Sequence, residues 1–286
     1  MPLELSYVNY TYLKGTPFEA VALHDITVKI EDGEFVGIMG STGCGKSTLI
    51  QILAGLLEPQ SGSVMLDSKD INAPGFRKED LRSSVGVVFQ FPECQLFETT
   101  VDRDVAFGLK HSGLSRQEVK NRVRESLELV GISYEKMAGL SPLGLSGGEK
   151  RRVAIAGILA VRPRFLILDE PIVGLDPQGR EDLLALISKL NNEGTTIVMV
   201  SHNADAIAEY CSRLIILDNG SIVADGPVRD VFYEIEKKSD SYVGLPQVMA
   251  IARMLRSRGI KLPLGLIRYK ELLDSLKNSF SKAVKS

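Results

Sequence analysis

Residues 35–48 read Phe35-Val36-Gly37-Ile38-Met39-Gly40-Ser41-Thr42-Gly43-Cys44-Gly45-Lys46-Ser47-Thr48. Up to Met39 the run is short and continuously apolar, the pattern of a strand buried on both faces. From Gly40 to Ser47 the residues fit G-x-x-x-x-G-K-[ST], and from Lys46 to Leu56 apolar positions fall at helical spacing. Strand, glycine loop and helix, in that order, predict a phosphate cradle. Glycines let consecutive backbone N–H groups turn inward with no Cβ in the way, forming an anion nest. The helix start adds unpaired donors and partial positive charge. In such a cradle the backbone from Gly40 through Ser41, Thr42, Gly43, Cys44 and Gly45 surrounds phosphate. Lys46 reaches the β- and γ-phosphates, Ser47 offers its hydroxyl to Mg²⁺, and Thr48 is placed for another phosphate. Cys44 reads as a tolerated small residue, with a redox-sensitive thiol as the alternative.

Working outward, residues 1–30 alternate and are rich in β-formers, which predicts antiparallel strands broken near Lys14–Pro17. Further buried strands are expected at Val85–Phe89, Phe165–Leu168, Ile197–Val200 and Leu214–Leu217. Helical patterns fall at Val119–Val130, Glu149–Ala160 and Gly179–Asn191, and the whole stretch from Phe91 to Ala160 reads as a helical insertion. Alternating strands and helices indicate an α/β fold with a mainly parallel sheet. The expected division is a nucleotide-binding domain over 1–235, with a helical subdomain at about 91–160, and a small helical region over 236–286. In the latter, Val248, Ile251, Ala252 and Leu255 mark one amphipathic helix, and Leu272, Leu273 and Leu276 a second.

Two more clusters carry chemistry. Asp169-Glu170 ends an apolar strand, where a magnesium-directed carboxylate (Asp169) and a general base for an attacking water (Glu170) belong. Leu145-Ser146-Gly147-Gly148-Glu149 opens a helix: Ser146 fits an N-cap and Glu149 completes a capping box. Two glycines in a first turn lower helix propensity. They admit a phosphate close to the backbone donors.

The motif Leu145-Ser146-Gly147-Gly148-Glu149-Lys150-Arg151-Arg152 resembles the signature of ATP-binding cassette (ABC) ATPases, and its place between the phosphate loop and Asp169 matches that family. The resemblance covers roughly residues 3–233. It implies a P-loop NTPase cassette with an antiparallel β subdomain and a helical subdomain. Tyr12 is implied as the adenine-stacking aromatic, with Tyr10 and Phe18 as rivals. Gln90 corresponds to the Q-loop glutamine beside the metal, Asp176 to the D-loop aspartate and His202 to the switch histidine. The ligands implied are ATP and Mg²⁺, with the signature of one subunit closing over ATP held by another.

The stretch from Phe89 to Gly108, together with Lys150–Ala160 and the tail after Val243, is similar to the ATP-binding subunits of energy-coupling factor (ECF) transporters. That resemblance implies three partners: a second ABC ATPase, a paralogue rather than an identical copy; a transmembrane coupling protein; and a substrate-capture membrane protein. It also implies a peripheral place on the cytoplasmic face of the membrane and import of a vitamin or transition-metal ion. The tail is implied as a contributor to dimer contacts. The alternative is a soluble ABC ATPase of DNA repair or translation. The spacing from Lys46 to Asp169 holds no sustained heptads and the chain carries one cassette, which disfavours it.

Composition agrees with this class. The chain has 286 residues, 44% hydrophobic and 24% charged, with net charge −2. That balance excludes wholesale disorder and a generally basic nucleic-acid-coating surface, so no nucleic-acid partner is expected. Residues 234–286 carry eleven Lys/Arg against five Asp/Glu, a charge suited either to a solvated face or to docking. Three scattered cysteines suggest neither a disulfide framework nor a zinc site, and a reducing compartment is expected. No signal peptide is read at the N-terminus, and the apolar stretch Val153–Val161 is half the length of a membrane span.

Overall fold

The computed structural model describes residues 2–237 and 243–283. In chain order, β1 (Leu3–Tyr12), β2 (Ala20–Ile30), β3 (Phe35–Gly40), α1 (Lys46–Leu53), β4 (Ser61–Leu66), β5 (Lys69–Asp70), α2 (Lys78–Ser84) and β6 (Val85–Val88) form the first part. The helical insertion follows with α3 (Val101–Ala106), α4 (Arg116–Leu129), α5 (Tyr134–Met137) and α6 (Gly147–Ala160). Then come β7 (Phe165–Asp169), α7 (Pro177–Asn192), β8 (Thr196–Val200), α8 (Ala204–Tyr210), β9 (Arg213–Asp218), β10 (Ser221–Pro227) and α9 (Val228–Lys237). The tail holds α10 (Gln247–Ser257) and α11 (Tyr269–Ala283).

Six strands make the main sheet in the order β10-β9-β3-β8-β7-β6, parallel except for β10. A second, antiparallel sheet has the order β2-β1-β4-β5. The expected α/β cassette is therefore present, and 91–160 contains helices and 3₁₀ turns but no strand. All six residues of β3 and all five of β8 are buried, as unbroken apolar runs covered on both faces require. One core lies between α1, the antiparallel sheet and one face of the main sheet. Another joins the opposite face to the helical insertion and α7–α9. Arg164 fastens the two sheets: its guanidinium donates to Asp67 at 2.7 Å and to Asp32 at 3.0 Å.

The structure corrects three expectations. The strand expected at Val85–Phe89 stops at Val88 and forms the edge of the main sheet rather than its interior, with Gly86 and Val87 half-buried. The first helix ends at Leu53, three residues short of the expected limit. In the tail, Val248, Ala252 and Leu272 enter a small core with Leu262 and Leu266, while Ile251 and Leu273 face outward. Two short helices cannot enclose every apolar position that their periodicity offers.

Candidate functional site

The site gathers at the carboxyl ends of β3, β8 and β7. Parallel pairing sets Ile38, Val200 and Asp169 level across these strands, so the segments that follow them emerge together. The phosphate loop leaves β3 and enters α1 through Gly45, the N-cap, whose φ is +107°. A Cβ on Gly45 would lie 2.3 Å from the Ala22 carbonyl oxygen, and one on Gly40 would lie 2.2 Å from that of Leu217. Both positions exclude any larger residue. Helix α1 has no side-chain cap and no acidic residue in its first turn, so its N–H donors remain open to an anion.

Lys46 is only 8% exposed. Its ammonium folds back over the loop and donates to the carbonyl oxygens of Gly40 and Ser41, both at 2.8 Å. Cys44 Sγ lies 3.7 Å from the same nitrogen and is buried. Ser47 is exposed at the mouth of the loop, whereas Thr48 is buried and its hydroxyl lies 3.2 Å from that of Tyr12. Tyr12 is half in solvent and meets Tyr10 edge to face at 5.0 Å between ring centres. Phe18 stands in solvent on the β1–β2 turn, so all three aromatic candidates lie on the same hairpin.

Asp169 is the last residue of β7, and Glu170 follows with a positive φ of 49°. The Glu170 N–H donates to the Val200 carbonyl at 2.9 Å, which holds the turned backbone against β8. One carboxylate oxygen of Glu170 faces His202 Nε2 at 3.4 Å without a hydrogen bond. The other accepts a long bond, 3.5 Å, from the Ser201 hydroxyl. Burial, then the neighbouring Asp169 charge, push the Glu170 carboxyl above the ordinary carboxylate range, against the His202 backbone and Lys46. Burial raises Asp169 too, opposed by Lys46 and His202. Burial and the Lys46 charge push His202 down. Charge on the imidazole is thus disfavoured beside a carboxyl whose uptake of a proton is favoured, an arrangement suited to hydrogen bonding to an incoming oxygen and to acceptance of a proton from water.

The second glycine cluster lies elsewhere on the surface. Ser146 caps α6, and the predicted capping box forms: Glu149 N–H donates to Ser146 Oγ at 3.3 Å and Ser146 N–H to Glu149 Oε2 at 2.8 Å. Gly147 and Gly148 are exposed, and a Cβ on either would meet nothing within 4 Å. Asp176 caps α7 and accepts from Gly179 N–H at 2.7 Å. Gly147, Gly148 and Asp176 line one cleft of about 820 Å³. Gln90 is exposed in the bend just after β6.

The structure therefore brings together the phosphate loop, Tyr12, Asp169, Glu170 and His202, and leaves Ser146, Gly147 and Gly148 facing outward. Sequence reasoning missed Ser201, a buried hydroxyl between β8 and His202, although a small polar residue at a strand end beside a titratable one is a readable signal. It also missed Arg151, buried on α6 in a run of basic residues that reads as a solvated face.

The comparisons identify the family. The family model described as ABC transporter matches residues 23–173. The energy-coupling factor transporter ATP-binding protein EcfA2 of Clostridium perfringens is 47% identical over 277 residues, covering 96% of this chain and 97% of that protein. Its counterpart in Caldanaerobacter subterraneus is 48% identical, covering 96% of each. Among solved structures, cbiO1 from Clostridium perfringens, described as part of the ABC transporter complex cbiONQ, matches with TM-score 0.73 and 36% identity over 90% of this chain and 96% of that one. An ATP-binding cassette solved as a dimer in a post-hydrolysis state with ADP and Pi matches with TM-score 0.70 and 32% identity over 80% of this chain and 99% of its own. These similarities favour the transporter reading over the soluble alternative. The chain belongs to the ABC transporter family and, within it, to the ATP-binding proteins of energy-coupling factor transporters.

Proposed function

We propose that this chain binds and hydrolyses ATP as one of two cassettes that drive an ECF-type importer of a vitamin or transition-metal ion. The observation that carries the reading is the contrast between a complete phosphate cradle beside Glu170 and His202 and a signature turn whose glycines serve nothing inside the chain. The phosphate-binding roles belong to Gly40–Thr48 and the adenine-stacking role to Tyr12. Ser146, Gly147, Gly148 and Asp176 serve the ATP held by the opposite cassette, a paralogue in our reading. ATP then bridges two half-sites and favours the closed dimer by its differential affinity for that state.

In the chemical step Glu170 orients a water and accepts its proton, while Lys46 and His202 stabilise charge on the γ-phosphoryl oxygens. A hydroxyl at the mouth of the loop and a carboxylate at a strand end are the hard oxygen donors that Mg²⁺ takes together with substrate phosphates. Ser47, Asp169 and Gln90 would hold it, and it would supply neutralisation of phosphate charge.

Gln90 is assigned the relay from this site to the neighbouring surface, where Gln95, Leu96, Phe97 and Phe107 line a groove of about 300 Å³. Phe97 and Phe107 are exposed there, apolar anchors that support docking of a membrane coupling protein's helices. Glu98, expected to pair with a partner's basic residue, is instead engaged by Lys110 of this chain at 3.4 Å. No helix among the described residues is long and apolar enough to cross a membrane, in keeping with a peripheral subunit on the cytoplasmic face that meets the substrate-capture protein only through the coupling protein. We further propose a nucleotide-binding domain over 1–235 with its helical subdomain at about 91–160, and 236–286 as a helical dimer contact.

The test is a tagged pull-down from detergent-solubilised membranes with ATPase measurement. Co-purification of a polytopic membrane protein and a second cassette, with turnover abolished by Glu170→Gln, is the expected result. Recovery of ribosomal or DNA-repair proteins with no membrane partner would overturn it.

A further inference from the structure

Three buried side-chain polar atoms lack a hydrogen-bond partner among the described residues: Glu170 Oε1, Glu93 Oε2 and Arg151 Nε. The first belongs to the site above. The other two face one region, where Glu93 and Arg151 line the same cleft as Gly147, Gly148 and Asp176. Arg151 is 5% exposed, on the second turn of α6. Its Nη1 donates to the Val173 carbonyl at 2.8 Å and its Nη2 to the Pro171 carbonyl. Those carbonyls belong to the turn hung directly on Glu170, closed by the Val173 N–H donating to the Glu170 carbonyl at 3.3 Å.

Burying a guanidinium is unfavourable unless neighbouring groups offset the lost hydration. Here two carbonyls and the Glu93 charge do so in part, while burial pushes the Arg151 pKa down. An apolar residue would fill the space without that cost. What the guanidinium adds is a directional tie between the start of the signature helix and the backbone that carries the catalytic carboxylate.

We propose that Arg151 is a positioning residue that transmits engagement of this chain's signature turn, by ATP on the opposite cassette, to the Pro171–Val173 turn and so to Glu170. The inference rests on the shared-site reading above and adds a physical link between its two composite sites. Movement of α6 when Ser146, Gly147 and Gly148 meet phosphate pulls on both carbonyls at once, because a planar fork holds them in fixed relation.

The test is a double-mutant cycle on ATP turnover of the complete complex purified from membranes, with this chain carrying Arg151→Met, Ser146→Ala or both. Arg151→Met is expected to lower kcat about tenfold with KM for ATP changed less than twofold, and to add less than a twofold further loss in the Ser146→Ala background. Where Arg151→Met does not assemble, Arg151→Lys, which retains charge but not the fork, should give a smaller loss with the same non-additivity. Losses that multiply fully, a KM that moves with kcat, or unchanged turnover would each overturn the inference alone. Wild-type turnover in Ser146→Ala would instead overturn the shared-site reading beneath it.

Discussion

The molecule contains two glycine-rich turns at helix N-termini, and they are built oppositely. In the loop before α1, Gly40 and Gly45 are each hemmed in by a backbone carbonyl, and no side chain caps the helix. Before α6, Gly147 and Gly148 stand in open space, and Ser146 and Glu149 form a capping box that satisfies two of the helix's N-terminal donors. The first turn needs its glycines for its own geometry. The second is shaped by its capping box, and its glycines and their N–H donors face outward. A glycine that the chain itself does not need is a mark of a surface designed for close approach by another body.

Substitutions at the two turns should therefore separate folding from assembly. The largest effect is expected from Glu170→Gln, which both turns serve: turnover should fall by about 10²–10⁴, the usual contribution of general base catalysis, while ATP binding persists and ATP-bound dimer accumulates on size exclusion. Next, Gly45→Ala should destabilise the chain by about 2–5 kcal/mol, from the clash with Ala22 and the positive φ, and abolish ATP binding, read by thermal melting and nucleotide titration. By contrast, Gly148→Ala should leave melting and ATP affinity of the isolated chain unchanged, and lower turnover of the complex at least tenfold. A melting shift in Gly148→Ala as large as that in Gly45→Ala would break the contrast.

A smaller effect sharpens the chemistry of the first half-site. Because burial and Asp169 raise the Glu170 carboxyl, a larger fraction of it is protonated at mildly acid pH than of a free glutamate. A protonated base cannot take a proton from water. The acid limb of kcat/KM against pH should accordingly lie above the ordinary carboxylate range. Tyr12→Ala should give the smallest change, weakening nucleotide affinity by the roughly 0.5–1.5 kcal/mol of one aromatic stack.

Much of this was legible because the determining signals are local. The unbroken apolar run Phe35–Met39, the glycine spacing to Lys46 and the Ser146–Glu149 box each report a conformation set by neighbouring residues. Where tertiary pairing decides, the sequence is silent. β4 begins with exposed Ser61 and Gly62, β5 has two residues, and β10 contains Gly226 and Pro227; none reads as a strand until β1, β4 and β9 respectively supply a partner. The edge position of β6 likewise depends on what lies beside it and not on its own residues. The burial of Arg151 was hidden because a basic residue in the run Lys150-Arg151-Arg152 ordinarily faces solvent, and only the approach of Pro171 and Val173 from another segment reverses that.

The seating of Lys46 on the Gly40 and Ser41 carbonyls has a consequence for selectivity among anions. The ammonium of Lys46 is solvated by the loop's own backbone, so an arriving anion would enter by exchange. It must offer the ammonium more than two well-placed carbonyls already give. On the proposed reading, a lone inorganic anion would start such an exchange at a disadvantage, whereas a triphosphate would also gain the nest and the adenine contact. Once the outermost phosphate had gone, the same two carbonyls would offer the ammonium its seat again and so favour product departure.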